Sequence, residues 1–398
     1  MKQIDTEKVP IKMWLEDIED GAIKQIVNLA NLPFVFQWVA IMPDSHQGYG
    51  MPIGGVLATD GVVIPNAVGV DIGCGMCAVK TSLTELSPDN IRKIMGEIRK
   101  VVPVGMGKKH SEEQDFKLMP GDSISKLSIA DMMLTLHPIC HKEFSNALKS
   151  LGTLGGGNHF IEIQKGSDGH IWIMIHSGSR NLGKQVADYY NDVAVKLNKK
   201  WHSAVPEEHE LAFLPTDSKE GKSYLNEMQY CVDFALANRK LMLQRIIDSF
   251  VKIIGTEWKT EPFINIAHNY ARLEHHMGRD VIVHRKGATS ARIGEIGIIP
   301  GSQGTKSYIV EGRGNIESFQ SCSHGAGRKM GRKEACRTLN LEEEIKKLTD
   351  QGIVHGIRTV GDLDEAAGAY KDIKMVMENQ KDLVEIVVEL SPLGVIKG

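Results

Sequence analysis

The sequence has few features that would direct the protein to a membrane or out of the cell. No run in its 398 residues approaches the roughly 20 apolar residues that cross a bilayer. The N-terminus lacks the charged start and apolar core of a secretory signal. Six cysteines in a chain of this length are too few for a disulfide scaffold. We therefore expect a soluble, cytoplasmic protein with reduced thiols and no membrane partner.

The sequence also lacks an excess of positive charge. Lysine and arginine number 47 against 50 aspartates and glutamates, and the formal net charge is −3. A protein that attracts nucleic acid through its overall field would be strongly basic. Any contact with nucleic acid must therefore come from a local basic patch.

Regular alternation of strands and helices is missing, as are internal repeats and low-complexity linkers. This absence argues against a Rossmann or TIM-barrel architecture. Short apolar runs broken by turn residues predict strands, and apolar positions spaced by three and four predict helices. The strands fall in residues 34–79, 159–176, 263–310 and 384–390. The helices fall in residues 20–31, 87–101, 123–150, 183–253 (interrupted around 214–222), 326–338, 341–351 and 370–380.

These elements predict an α+β fold, with largely antiparallel central sheets and helices around the outside. Histidine-bearing motifs occur in the first three strand-rich blocks or directly after them. One site built from those motifs must draw on most of the chain. We therefore expect residues 1–398 to form a single domain.

Histidine and glycine are abundant, at 15 and 40 residues, and both cluster in short motifs. In the first motif, Asp71 and Cys74 stand in DIGCGM after a strand-like AVGV, where both side chains can reach one ion from a tight turn. A β-turn with a buried cysteine is the alternative, and this motif alone favours it. Cys74 and Cys77 form a CxxC, but without a second CxxC they do not predict a structural zinc site.

Three further histidines stand at strand ends. His159 follows three glycines, His176 ends the strand IWIMI before Ser-Gly-Ser-Arg180, and His268 lies in IAHNY. For His159 alone, a glycine-rich hairpin with a surface histidine is the alternative. His176, followed by Ser-Gly-Ser and Arg180, suits a metal ligand beside a phosphate-binding segment, and His268 alone indicates little. With Asp71 and Cys74 they make five ligands, and a bridging thiolate that holds two divalent ions is the economical arrangement. Ligand softness favours zinc, with iron, cobalt or manganese behind it.

His324 lies among small residues in SCSHGAGR. The pattern predicts a helix that begins at about Ala326, with an N-terminus that binds phosphate and a basic face that includes Arg328 and Arg332. A solvated helix surface is the alternative reading of the basic run. Beside the two ions, a neutral His324 imidazole could act as a nucleophile toward phosphorus.

In this order the motifs resemble the RtcB family of RNA ligases, from about residue 10 to the C-terminus. The resemblance is carried by PDSHQGYG (43–50), IGG (53–55), VGVDIGCGM (68–76), LGTLGGGNHFIEI (151–163), HSGSR (176–180), HNY (268–270), RKGA (285–288), IIPGS (298–302), SCSHGAGR (321–328), AYKD (369–372) and KG (397–398). It implies a GTP- and Mn²⁺-dependent ligase that joins RNA 3′-phosphate or 2′,3′-cyclic phosphate ends to 5′-hydroxyl ends.

The resemblance also implies roles for the motif residues. Asp71, Cys74 and His159 would hold one Mn²⁺, and Cys74, His176 and His268 the other. The family thus implies manganese where ligand softness favours zinc. His324 would attack the α-phosphate of GTP and form a histidine–GMP intermediate, which then activates the RNA end as RNA(3′)pp(5′)G.

Further roles follow from the same resemblance. Asp44 would be an acidic catalytic residue near the metals, with His46 in support, and Arg180 and Arg328 would bind phosphate. Gln303 departs from the methionine that members often carry. The implied nucleotide-binding residues are Asn158, Phe160, Glu162, Asn269, Ser302, Ser307, His324, Ala326, Gly327, Tyr370 and Lys397.

Two other functions compete with this interpretation. A metal-dependent phosphoesterase would cleave cyclic phosphates without ligation and would not need the SCSHGAGR nucleophile. A non-catalytic RNA-binding module would not need the five metal ligands. The physiological RNA, the need for an activating helper protein, the oligomeric state and activity on DNA ends stay open at this point.

Overall fold

The computed structural model of the protein describes residues 1–114 and 138–398. Each predicted helical segment contains a helix there, with two differences. The 326–338 segment is corrected below, and the break predicted around 214–222 covers 201–218 instead. Residues 123–137 of the predicted 123–150 segment lie outside the described ranges. The α-helices are α1 Asp20–Ala30, α2 Pro65–Val68, α3 Pro88–Val101, α4 Pro138–Ser150, α5 Asn181–Lys200, α6 Lys219–Ile254, α7 Arg332–Thr338, α8 Leu341–Asp350 and α9 Ile373–Asn379. Across the described ranges, none of these helices combines the length and apolar character that a membrane span requires.

The strands fall where the apolar runs predicted them, with additional short strands near the N-terminus, after α5 and directly before His324. They are β1 Lys2–Ile4, β2 Ile11–Met13, β3 Val35–His46, β4 Ile53–Thr59, β5 Val62–Val63, β6 Gly75–Lys80, β7 Phe160–Gly166, β8 Ile171–Ser177, β9 Leu214–Pro215, β10 Ile264–Ala267, β11 Asn269–His276, β12 Arg279–Lys286, β13 Ala288–Ser290, β14 Ile296–Ile299, β15 Ser307–Gly312, β16 Ser321–Ser323 and β17 Val384–Lys397.

Two larger sheets organise the fold. The first has the order β1-β2-β3-β4-β12-β11, and the second has the order β10-β6-β8-β7-β17-β15-β14. Two-stranded pairs β13-β16 and β5-β9 complete the arrangement. Between named strands of the described chain, β2–β3 is the one parallel pairing. The predicted α+β class with largely antiparallel sheets is confirmed.

Helix α6 is the long element that packs on both larger sheets. Ser218 caps its N-terminus by accepting a hydrogen bond from the Gly221 N–H, which satisfies one of the free amides there. Met228 and other residues of its first half share a core with β11 and β12. Residues of its second half, including Phe250, share a core with β6, β7 and β8. Burial of each such side chain contributes about 1.5–3 kcal/mol to the stability of the fold. Because α6 packs on both larger sheets, it holds them in a fixed arrangement.

The predicted helix over residues 326–338 is wrong in its first half. The helix begins at Arg332, and a loop follows β16. Gly327 has φ +71°, and a Cβ there would collide with the Asp44 carbonyl, so this segment cannot continue as a right-handed helix. The loop is held instead by backbone bonds such as Lys371 N to Gly327 O, 2.9 Å. The predicted phosphate site at the N-terminus of a helix starting at Ala326 therefore does not exist.

The last strand is longer than the predicted 384–390. It continues through a register shift between Pro392 and Gly394 to Lys397, which pairs with Phe160 of β7. Proline lacks the amide needed for a regular ladder and is accommodated at such irregularities. The extension brings the C-terminal lysine beside the glycine-rich motif that precedes β7.

Candidate active site

Neighbouring strands of the second sheet bring the histidine and cysteine motifs together. Cys74 directly precedes β6, His159 directly precedes β7, and His176 lies in β8, which is paired with both. In this register His176 stands opposite Phe160 on one side and Met76 on the other. Motifs about 100 residues apart in sequence thus converge because their strands are hydrogen-bonded neighbours.

Cys74 lies between two imidazoles. Its Sγ is 3.3 Å from Nε2 of His159 and 3.3 Å from Nε2 of His176, and the three ligand atoms lie within 4.8 Å of one another. A thiolate and an imidazole bound to one ion at ordinary bond lengths are separated by roughly 3.1–3.6 Å. The position of the sulfur therefore fits a metal ligand.

Asp71 adds a carboxylate to this cluster. Its Oδ2 lies 3.3 Å from Nε2 of His159. Burial alone would raise the pKa of Asp71, but the hydrogen bond and charge of His159 outweigh it and lower that pKa to about 2. Burial, followed by the charge of Asp71, raises the pKa of the Cys74 thiol well above its ordinary value. A divalent ion is the kind of group that would deprotonate such a thiol.

His268 completes the predicted five-ligand set. It follows β10, whose last residue pairs with Gly75 of β6. Its ring centroid is 5.1 Å from that of His176 and 4.8 Å from that of His324. Its Nδ1 is buried without a hydrogen-bond partner among the described residues. A buried imidazole nitrogen left without a partner is costly, and a metal ion would satisfy it.

Two arginines bond to residues of this cluster or to residues next to it. Nη1 of Arg180 lies 3.1 Å from Nδ1 of His159, and its Nε donates to Thr153. Arg239, in the middle of α6, is buried and donates from Nη1 to the carbonyls of Gly73 and Ser177. Its charge opposes the rise in the Cys74 pKa. No sequence motif indicated Arg239, because a helical arginine carries no local signal of burial beneath a site.

His324 is held by a carboxylate from a distant strand. Oδ2 of Asp44, near the end of β3, lies 2.6 Å from Nδ1 of His324 and accepts from the backbone N–H groups of His324 and Gly325 at 3.1 and 3.2 Å. With Nδ1 engaged as the donor, Nε2 is the nitrogen with the free lone pair. The bonds to Asp44 therefore fix the orientation of the ring and leave Nε2 without this partner.

A pocket opens beside His324 and His176. Its lining contains most of the residues that the resemblance implied for nucleotide binding. The lining residues are His46, Ile53, Asn158, Phe160, Glu162, His176, Pro300, Gly301, Ser302, Gln303, His324, Gly325, Ala326, Gly327, Arg328, Arg332, Glu365, Tyr370 and Lys397. Aromatic, charged and amide groups thus converge on one concave site, as a site for a nucleotide requires.

Glu365 connects several residues of this pocket, and no sequence motif indicated it. Its buried carboxylate lies 2.7 Å from Nε of Arg332 and 3.1 Å from Nη1 of Arg328, and it also accepts from the Tyr370 hydroxyl. Nζ of Lys397 is 3.8 Å away. The network fixes the aromatic and basic walls of the pocket. An isolated glutamate in DLDEAAG gives no sequence signal of this partnership.

Glu162 is buried in the wall of the pocket, and the partly exposed Lys397 lines the same pocket. Burial raises the pKa of Glu162 to about 8, although the charge of Lys397 opposes that rise. Burial lowers the pKa of Lys397, against the charges of Glu365 and Glu162. Nζ of Lys397 donates to the Asn158 carbonyl at 3.2 Å. Both groups therefore supply polar atoms to the pocket.

Two residues of the implied nucleotide set lie outside the lining found within residues 1–114 and 138–398. Asn269 donates to the Asp71 carbonyl at 3.0 Å and accepts from the Gly287 N–H at 2.8 Å. The Ser307 hydroxyl accepts from the Gly301 N–H at 3.1 Å. Asn269 thereby links the turn that contains Asp71 to Gly287, the residue before β13. Ser307 bonds to the backbone of Gly301, which lines the pocket.

Comparison with known proteins agrees with this arrangement. Residues 25–398 match the family described as tRNA-splicing ligase RtcB. The chain is 38% identical to the RNA-splicing ligase RtcB of Escherichia coli strain K12, over 99% of each chain. It is 33% identical to the tRNA-splicing ligase RtcB of Thermococcus kodakarensis, over 98% of this chain and 95% of that one. For the tRNA-splicing ligase RtcB of Methanococcus maripaludis the identity is 32%, over 99% and 96%.

Proposed function

The chain belongs to the RtcB family of RNA-splicing ligases, and on this premise we propose that it joins RNA ends with GTP and two Mn²⁺ ions. One end carries a 3′-phosphate or a 2′,3′-cyclic phosphate and the other a 5′-hydroxyl. The observation that carries the proposal is the position of His324. Its Nδ1 is fixed by Asp44, its ring lies 4.8 Å from that of His268, and it lines the nucleotide pocket.

His324 is the proposed nucleophile. Its Nε2 would attack the α-phosphorus of GTP, a nitrogen–phosphorus bond would form, and pyrophosphate would leave. Positive charge develops on the imidazole as this bond forms, and the Asp44 carboxylate beside Nδ1 stabilises that charge. The product is histidine–GMP.

The RNA 3′-phosphate then takes the guanylyl group. One of its oxygens attacks the phosphorus, the bond to Nε2 breaks, and RNA(3′)pp(5′)G forms. A cyclic phosphate first opens by addition of water to give the 3′-phosphate. The 5′-hydroxyl oxygen finally attacks the 3′-phosphate, loses its proton, and GMP leaves.

The metal-ligand cluster fits two divalent ions. Asp71, Cys74 and His159 would hold one Mn²⁺ and Cys74, His176 and His268 the other, with the thiolate shared. When bound, the ions would neutralise charge on the phosphate oxygens. Manganese rather than zinc follows from family membership, because preference by ligand softness is weak in a mixed nitrogen, oxygen and sulfur site.

The pocket supplies groups suited to a guanine nucleotide. Phe160 and Tyr370 offer aromatic faces, and Glu162 and Lys397 offer an acceptor and a donor for the base edge. Arg328 would bind phosphate, with its guanidinium 5.1 Å from the centre of the Tyr370 ring. Gln303 lines the same pocket and donates to the Glu365 carbonyl at 2.9 Å.

A ligation assay tests this function. The protein is incubated with Mn²⁺, GTP, an RNA ending in a 2′,3′-cyclic phosphate and an RNA with a 5′-hydroxyl. The proposal expects sealed RNA with release of GMP and pyrophosphate, and no sealing when GTP is replaced by GDP. Opening of the cyclic phosphate without sealing in any condition would favour the phosphoesterase. Binding without any turnover would favour the RNA-binding module.

A further inference from the structure

The hairpin that joins β3 to β4 begins and ends at the lining of the nucleotide pocket. His46 ends β3, Ile53 begins β4, and the two residues pair with each other and both line the pocket. Residues 47–52 form the tip. A residue spans at most about 3.5 Å of extended chain, so the backbone of Tyr49 lies within roughly 10 Å of that of His46. Every residue of the tip therefore lies close to the lining of the pocket.

Tyr49, near the centre of the tip, is the aromatic side chain that the tip presents. It is 71% exposed. Two other exposed aromatic residues of the described chain, Tyr189 and Trp201, pack against neighbouring rings. Among the residues that the structure describes, Tyr49 has no recorded ring contact. Its ring is thus available to a ligand.

The backbone beneath this ring is tied to distant elements. Gln25 of α1 exchanges two hydrogen bonds with Gly48, at 2.6 and 3.1 Å. The Gly50 N–H donates to the Glu210 carboxylate at 3.0 Å. Anchors from two sides limit the motion of the tip. An exposed ring on an anchored backbone loses little conformational entropy when it binds.

A further anchor lies at the end of β12, near the proposed reaction centre. Nζ of Lys286, at the end of β12, donates to the Tyr49 carbonyl at 2.6 Å and to the Asn66 carbonyl of α2 at 2.9 Å. The residue after it, Gly287, leaves room for the His324 ring, since a Cβ there would lie 3.1 Å from Cε1 of His324. One buried lysine therefore connects the tip to the strand end that contacts the proposed nucleophile.

We propose that Tyr49 is a stacking platform for the terminal nucleobase of one of the two RNA ends at the break. The inference rests on the proposed function. Aromatic side chains bind single-stranded RNA by stacking on its unpaired bases, and broken ends offer such bases. The anchored tip would hold a terminal base while its phosphate or hydroxyl reaches His324 and the metal ligands.

Steady-state ligation kinetics with Tyr49→Ala, Tyr49→Phe and Tyr49→Trp test the platform. Loss of one stacking contact corresponds to a rise of roughly 5- to 150-fold in the KM for RNA, and we expect this for Tyr49→Ala. The phenylalanine and tryptophan variants keep an aromatic face and are expected within about threefold of the parent. Tyr189→Ala, the loss of another exposed tyrosine, serves as the matched control.

Abasic substrates identify the base. One RNA lacks the base of the 3′-terminal nucleotide, and another lacks the base of the 5′-terminal nucleotide. With the strand that Tyr49 contacts, the parent and Tyr49→Ala should show the same raised KM, because the stacking partner is already missing. The other abasic strand should leave the difference between the two proteins intact.

Two results would overturn the platform. One is a KM for intact RNA in Tyr49→Ala equal to that of the parent. The other is a full effect of Tyr49→Ala on both abasic strands. Either result, with normal ligation by the parent protein, leaves the proposed function standing. A parent protein that seals no RNA removes the proposed function and this inference together.

Discussion

The Asp44 carboxylate determines what the His324 imidazole can do. One of its oxygens faces three donors, namely Nδ1 of His324 and the N–H groups of His324 and Gly325. This arrangement fixes both the tautomer and the direction of the ring. In the proposed mechanism, it also places a carboxyl group beside the imidazole that would become positive during attack on phosphorus.

Replacement of that charge is expected to slow the first step without removing the nucleophile. Asp44→Asn keeps the shape but loses the carboxylate, and we expect histidine guanylylation to slow by roughly 10²- to 10⁴-fold. Single-turnover labelling with GTP measures the rate. Asp372→Asn, at the N-cap of α9, is the control for an aspartate that bonds backbone N–H groups elsewhere. A rate within threefold of the parent for Asp44→Asn would contradict the positioning role.

Cys74 is expected to be required for metal binding, because its sulfur lies between the two imidazoles. Cys74→Ala should bind markedly less Mn²⁺ than the parent when the metal content is measured after gel filtration. Cys77→Ala removes another buried thiol from the adjoining strand, and this control should keep its metal. Equal metal content in the two variants would contradict the shared thiolate.

Sequence motifs pointed to Cys74, His159 and His176, which the structure brings together, and to His324, because each stands in a short glycine-rich or strand-end pattern. They did not locate Glu365 or Arg239. The role of Glu365 arises from contacts with Arg328, Arg332 and Tyr370, and that of Arg239 from burial beneath the cluster. Partnerships of this kind depend on tertiary packing, which periodicity along the chain does not encode.

Strand β16, which leads into His324, depends on a buried arginine. Phe319 and Gln320, just before it, have φ of +51° and +52°, a conformation that costs roughly 1–2 kcal/mol per residue. Arg285 of β12 donates to the Phe319 carbonyl at 3.0 Å and to the Ser321 hydroxyl at 2.9 Å. Its partner Glu274 accepts from it at 2.5 and 3.2 Å. The strained turn is therefore held by contacts from the first sheet.

Removal of this anchor should destabilise the protein. Arg285→Ala leaves the Glu274 carboxylate buried without its main partner, a change that typically costs about 3–5 kcal/mol. The midpoint of urea unfolding, followed by circular dichroism, should fall clearly. Arg313→Ala removes an exposed partner of Glu385 and should cost less than about 1 kcal/mol. Equal shifts for the two variants would contradict the anchoring role of Arg285.

Element prediction failed where tertiary contacts override local pattern. The basic run after His324 has helical spacing, yet Gly327 adopts a positive φ, and the loop bonds to Asp44 and Lys371. The Ser-Pro-Leu-Gly sequence in the last strand predicts an end at residue 390, yet β17 continues because β7 offers a free edge to pair with. The long helices and apolar strands were predicted because their burial is periodic.

At the scale of the whole molecule, stability should depend on the charge of Glu162. Its pKa is raised from 4.5 to about 8 by burial, against the opposing charge of Lys397. Between these pH values the folded state keeps a proton that the unfolded state releases. The stability associated with the neutral acid is therefore present below about pH 4.5 and is lost as the pH rises through about 8.

Glu162→Gln removes this dependence. The melting temperature of the variant, relative to that of the parent, should rise steadily from about pH 5 to about pH 8. Differential scanning calorimetry in buffers of constant ionic strength measures the difference. Glu311→Gln, at an exposed glutamate of β15, should show no such trend. A constant difference for Glu162→Gln across this range would contradict a buried, protonated carboxyl.

The two larger sheets and α6 assemble the site from segments spread along the chain. Strand β3 supplies Asp44, and β17 supplies Lys397. Strands β6, β7 and β8 position the proposed metal ligands Cys74, His159 and His176. We propose that these segments act as one domain, because each sheet contains strands from distant parts of the sequence. A site distributed in this way requires the whole fold before any chemistry can occur.

The proposed function depends most directly on covalent bonding of GMP to the imidazole at position 324. The parent protein and His324→Ala are incubated with Mn²⁺ and GTP labelled at the α-phosphate, denatured, and digested for mass spectrometry. We expect label that is stable in base and labile in acid, located on the peptide that contains His324, and no label on the variant. Label on another residue, or undiminished label on His324→Ala, would contradict the proposed role of His324 as the nucleophile.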